Sequence, residues 1–259
     1  MAPMHRGASG RAPARDHQPL ALFMTRLTWD NGATRGAIAI TLAAVLYNNL
    51  VNLLPQNVHD VLYVPLNLVV GAVFGLVAWR WLRLGRAGLG LDRHVLLPGL
   101  RWGTGAGLAI VAPLYVALLV PAAQGLLDDA RVQELSLPAL AYVATVRIPL
   151  GTALFEEWVF RGVLHAAWLR AAGSRMAWAV PSAAFGLWHV APSLEALAAN
   201  RPDASAGLVF LFVAGSVLAT ALGGVLFAAL RTRTGGIVAP VVAHGLVNSL
   251  ALVASYLAA

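Results

Sequence analysis

Chemistry in this chain could be built on Glu156, Glu157, Arg161, His189, His244 and Asn248. A carboxylate beside an imidazole can take a proton from water. A His or Asn side chain can donate a hydrogen bond to the oxyanion formed when water attacks an amide carbonyl. The same Glu and His side chains could instead hold a divalent metal, since two His and one Glu are familiar zinc ligands. The residue types alone leave both mechanisms open. The spacing is regular: Glu157 and Arg161, Phe185 and His189, and His244 and Asn248 are each four apart, so each pair shares a helix face. Glu157 and Arg161 read equally well as an intrahelical ion pair. Glu156 has Phe160 at the same offset and points about 100° away from Glu157 around a helix. His165 reads as a local hydrogen-bonding residue.

These groups stand out because the elements that carry them are apolar. The 259 residues are 59% hydrophobic and only 11% charged. A soluble domain is about 25% charged, so there are too few charges here to coat one. A disordered chain, polar and highly charged, is excluded. Cysteine is absent, which removes disulfides, thiolate metal sites and cysteine nucleophiles. The net charge is +7, and its 18 basic residues are all Arg, lying between apolar runs without forming a stripe, so no nucleic-acid partner is expected. Apolar segments run over 36–54, 62–79, 103–123, 148–169, 176–194, 206–230 and 236–258. Each approaches the ~20 residues that cross a bilayer as a helix. The fold class is therefore all-α, a polytopic transmembrane helical bundle of about seven spans. Residues 1–30 read as a disordered cytoplasmic tail and 31–259 as a single transmembrane domain. Pro149 marks the start of the fourth span.

The Arg positions orient the bundle. Fourteen Arg fall in alternate connections: Arg6, Arg11, Arg15, Arg26 and Arg35, then Arg80, Arg83, Arg86, Arg93 and Arg101, then Arg170, Arg175, Arg231 and Arg233. The opposite connections hold Arg131, Arg147 and Arg201. An excess of Arg marks cytoplasmic loops. The expectation is a multi-pass protein of the bacterial cell membrane with its N-terminus cytoplasmic. Asp128, Asp129 and Glu134 then lie outside, on a short surface helix. Counting ~1.5 Å per residue from the Arg boundaries puts Glu156 and His189 at ~21 Å depth, His244 at ~16 Å and Asn248 at ~22 Å. Three spans thus bring a carboxylate, two imidazoles and an amide to a common level. Ionisable groups inside a membrane cost a few kcal/mol and are functional-site hypotheses by default.

Several protease signatures are missing. No His-Glu-x-x-His occurs, the Gly7-Ala8-Ser9-Gly10 sequence lies in the polar tail, and no predicted span contains Asp, which excludes an Asp dyad. Three other motifs are present. Glu156-Glu157-Trp158-Val159-Phe160-Arg161 resembles the Glu-Glu-x-x-x-Arg motif of the CPBP family, the group of CAAX prenyl proteases and bacteriocin-processing or Abi proteins. Phe185-Gly186-Leu187-Trp188-His189 resembles its Phe-x-x-x-His motif, and His244-Gly245-Leu246-Val247-Asn248 its His-x-x-x-Asn motif. The resemblance covers about 145–258, the protease-like core; the first three spans are similar only in being apolar helices.

The resemblance implies an intramembrane endopeptidase acting on a membrane-associated peptide or protein of prenylated CAAX type or bacteriocin type. Type II CAAX prenyl endopeptidases of this family remove the last three residues after a prenylated cysteine. By position, Glu156 would activate the water with help from His189. His244 and Asn248 would form the oxyanion site, and Glu157 and Arg161 would order the carboxylate. The eukaryotic branch favours a glutamate-dependent, metal-free mechanism. If the reaction depends on a divalent metal, zinc, its ligands would be Glu156, His189 and His244. The alternative is a non-catalytic binding or immunity protein on the same scaffold.

Overall fold

The computed structural model describes residues 32–125 and 127–259, so the tail expected over 1–30 lies outside the described residues. Helices dominate, and no strand occurs among the described residues. The longer ones are α1 (Gly32–Val51), α2 (Gln56–Arg80), α3 (Leu96–Leu118), α4 (137–172), α5 (174–188), α6 (Val190–Asn200), α7 (Ala206–Thr234) and α8 (Val238–Ala258). Large apolar side chains such as Leu42, Val69, Phe210 and Leu222 face outward along them. In water such surfaces would associate; in a bilayer they meet lipid. The protein is an integral membrane protein.

Each predicted span falls on a helix, but the count differs from seven. By length and composition five helical runs can cross a membrane: Asn57–Arg80, Arg86–Leu118, Leu137–Asn200, Ala206–Thr234 and Val238–Ala258. The expected fourth and fifth spans are one run. It turns at Gly173, whose φ of 80° and ψ of −177° suit a residue without a side chain. Beyond that turn α5 folds back on α4, bringing Phe160 against Phe185 and Trp188 with ring centroids 5.0 and 5.2 Å apart. The first expected span is α1, which carries Arg35, Asn48 and Asn49 and is not among the five. Contrary to expectation, an Asp does enter a spanning helix, because α2 begins before the apolar run and takes in His59 and Asp60.

The helix α4 starts at Leu137, not near 148. Ser136 caps it by accepting from the Ala139 N–H, and Pro138 sits in the first turn, where it is tolerated. Pro149 lies inside, in a π-helical stretch over Val143–Leu154. In that i→i+5 register the missing Pro149 N–H would leave the Ala144 carbonyl unpaired. Ser249 of α8 fills the gap, donating from Oγ to the Ala144 oxygen at 2.7 Å. A second π-helical stretch, Trp158–Leu164, follows the two glutamates.

Two contacts fix α8 and α4 in place. Gly99, Gly103 and Gly107 form a buried stripe on α3. A Cβ at Gly103 would stand 2.6 Å from the Ala239 carbonyl oxygen, and one at Gly99 2.7 Å from the Val238 Cβ. Small residues let helix backbones approach this closely in membranes, where apolar burial supplies no driving force. On the other flank, the Asn67 amide of α2 donates to the Gly151 carbonyl at 2.9 Å and its oxygen accepts from Tyr47 of α1 at 2.5 Å. The core of these packed helices is aromatic: Phe155, Phe160, Phe185 and Trp188 are all buried.

Candidate active site

The polar centre lies where α4, α5, α7 and α8 meet. Glu156 and Glu157 occupy the short α-helical turn between the two π-helical stretches. They face different partners. Glu157 is fully buried: its Oε1 accepts from Arg161 Nη1 at 2.9 Å and meets His244 Nδ1 at 2.9 Å. Arg161 is 2% exposed and donates from Nη2 to the Gly224 carbonyl of α7 at 3.1 Å. Its guanidinium lies 4.3 Å from the Phe185 ring centroid and 5.2 Å from that of Phe227. A buried cation thus has a carboxylate, a carbonyl and two ring faces in place of water.

Glu156 is 4% exposed and lines a cavity of about 850 Å³. Its Oε1 accepts from Trp188 Nε1 at 3.2 Å, and its Oε2 is buried without a partner. His244 bridges the two glutamates, its Nε2 standing 3.9 Å from Glu156 Oε2. Because Nδ1 donates to Glu157, Nε2 carries a proton only when the ring is doubly protonated. His244 stacks on Phe227, with centroids 5.1 Å apart.

His189 lies between α5 and α6 with φ −93° and ψ 9°, the bridge region where active-site residues often sit. It is half-buried and lines the same cavity as Glu156. Its Nδ1 meets the Phe185 carbonyl at 2.7 Å. A carbonyl only accepts, so Nδ1 holds the proton and, in the neutral ring, Nε2 is left as a proton acceptor. The junction is clamped from α1. Asn48 donates to the Trp188 carbonyl at 2.7 Å, Asn49 donates to the Leu187 carbonyl at 3.0 Å, and the Asn49 oxygen accepts from the Ala191 N–H at 2.9 Å.

The structure therefore brings Glu156, Glu157, Arg161 and His244 into one network and sets His189 on the cavity they border. Asn248 is half-buried one turn along α8 from His244 and stands outside the hydrogen bonds described. His165 meets the Ala177 backbone. Arg231 is more than an orientation charge. It is buried, donating from Nε to the Arg161 carbonyl at 3.1 Å and from Nη2 to the Gly88 carbonyl at 2.9 Å. The sequence reading missed Trp188, Asn48, Asn49 and Phe227. Asn48 and Asn49 carried a signal, two amides in an apolar helix, which a search for ionisable groups passes over.

Glu156, His189 and His244 are not gathered as a metal site. Among the described residues no group of three His, Asp or Glu side chains is gathered to hold an ion. His244 Nδ1 is engaged by Glu157.

The cavity runs from Glu156 and His189 past Tyr63 and Arg147 to Asp60 and Arg131. Asp60 and Arg131 are half exposed. The expected surface helix is here: Ala130–Gln133, capped by Asp129, which accepts from the Arg131 N–H at 3.0 Å. The Arg131 guanidinium, 2.6 Å away, holds the Asp129 carboxyl down at about 2. Among curated proteins and solved structures nothing matches the chain. Residues 138–250, which hold all six of these polar residues, match the family model of the type II CAAX prenyl endopeptidases, Rce1-like, in agreement with the family that the three motifs resemble.

Proposed function

We propose that the protein is an intramembrane endopeptidase that hydrolyses a peptide bond of a membrane-associated, CAAX-type substrate through water activated by Glu156. The observation that carries this reading is the unequal placing of the two glutamates. Oε2 is without a partner in both, but Glu157 is fully buried with its Oε1 committed to Arg161 and His244, whereas Glu156 lines the cavity. A water held at Oε2 would lose its proton to the carboxylate as it attacks the carbonyl. The free Nε2 of His189 is a second acceptor on the same wall. His244 and Asn248 supply donors for the oxyanion, His244 only with its ring doubly protonated. Glu157, itself held by Arg161, holds the His244 ring by its other nitrogen, and Glu156 returns the proton to the leaving amine.

Glu156→Gln keeps the shape and removes the base. The expected loss of cleavage is roughly 10²–10⁴-fold with thermal stability unchanged. Full retained cleavage by a folded Glu156→Gln protein would overturn the assignment, and cleavage absent from the wild type would leave a binding protein on this scaffold. Chelators are expected to leave activity intact. Activity lost on removal of stoichiometric zinc and restored by its return would replace this mechanism with a metal-dependent one.

A further inference from the structure

Arg147 lies on α4 nine residues before Glu156 and lines the same cavity. No motif includes it. Its guanidinium sits 4.5 Å from the Tyr63 ring centroid, and Nη2 reaches Asp60 Oδ1 at a long 3.4 Å. Its Nε is buried without a partner. Leaving a charged donor unpaired is costly, more so in a membrane protein, unless a ligand completes it. Guanidinium donors form a fork that fits a carboxylate.

The spacing along α4 bears on which carboxylate. Nine residues at ~1.5 Å each separate Arg147 and Glu156 by ~13 Å, less where the turns are π-wide. Three extended peptide residues span about 10–11 Å. A chain whose terminal carboxylate rests on Arg147 thus lays the bond three residues from its end beside Glu156. The phenol of Tyr63, held to Thr152 Oγ1 at 2.9 Å, supports the guanidinium between the two points.

We propose that Arg147 is a specificity-determining residue that receives the free C-terminal carboxylate of the substrate, so that the Arg147–Glu156 distance sets the bond that is cut. This rests on the endopeptidase reading for the cut, though not for the carboxylate binding.

The test uses full-length protein in detergent and a farnesyl-cysteine tetrapeptide with aliphatic residues, made as the free acid and as the C-terminal amide. Binding is measured on the Glu156→Gln protein, which does not consume the probe. The acid should bind at least tenfold tighter than the amide. Arg147→Gln should abolish that difference, Arg147→Lys should keep part of it, and Asp60→Asn, which frees the guanidinium, should widen it. Equal binding of acid and amide, no binding of the acid, or a preference that survives Arg147→Gln in a folded protein would each overturn the proposal. Wild-type cleavage is read separately. Acid and amide cut at equal rates leave the endopeptidase standing and remove the role of Arg147. Acid-selective binding without cleavage keeps Arg147 and removes the endopeptidase. In a peptide one residue longer, the cut should move one residue with the C-terminus; a cut fixed to the prenylated cysteine overturns the ruler.

Discussion

At the residue scale, the site works by giving chemically identical groups different neighbours. Glu156 and Glu157 differ only in what surrounds them, and Trp188 is the donor that orients Glu156. Trp188→Phe should keep the ring packing against Tyr47, Phe155 and Phe160 while removing that hydrogen bond. A hydrogen bond to a charged group is worth about 1.5–3 kcal/mol, so kcat should fall about tenfold or more with KM and melting temperature little changed. An unchanged kcat would show that Glu156 is held by its backbone alone. The contrast explains what was legible in the sequence. Glu156, Arg161 and His244 show because each is an ionisable group in an apolar span, where every charge needs a reason. Trp188 and Asn49 are neutral: a Trp in an apolar helix reads as core, and only the fold brings Asn49 across to the Leu187 and Ala191 backbone.

At the element scale, the helices were legible and their irregularities were not. Hydrophobic length locates each span, but Pro149 reads as a helix start when the chain around it is taken as α-helical. A π-helical register and a hydroxyl from Ser249, one hundred residues further on, let the helix pass through. Arg231 reads as a topology marker because sequence cannot show that the Arg161 and Gly88 carbonyls will face it. The glycine stripe of α3 is the element that sets the height of α8, and with it His244. Gly103→Val would push a side chain into the Ala239 carbonyl. Overpacking of this kind costs about 1–3 kcal/mol, so the melting temperature in detergent should fall by several degrees and cleavage should fall with it. Gly105→Val, two residues away on the exposed face with nothing within 4 Å, should change neither. Equal effects of the two substitutions would show that the stripe does not position α8.

At the scale of the whole molecule, the distribution of charge and the direction of the cavity make one combined claim about which compartment supplies the substrate. Arg80 ends α2, Arg83, Arg86 and Arg93 follow it, and Arg231 and Arg233 close α7 at the same end of the bundle. The cavity reaches the other end, at Asp60, Arg131 and Ala199. If Arg-rich connections stay in the cytoplasm, the cavity mouth faces the opposite side, and a peptide must present its C-terminus there. The absence of cysteine makes this directly measurable. His94→Cys and Asp203→Cys place single thiols on exposed positions at opposite ends. In intact cells a membrane-impermeant maleimide should label Asp203→Cys and reach His94→Cys only after permeabilisation. The reverse pattern would turn the molecule over and open the mouth to the cytoplasm, where soluble proteins carrying a lipidated C-terminus would reach it. Labelling of both in intact cells would mean that the chain inserts in both orientations, and that Arg placement does not select the substrate.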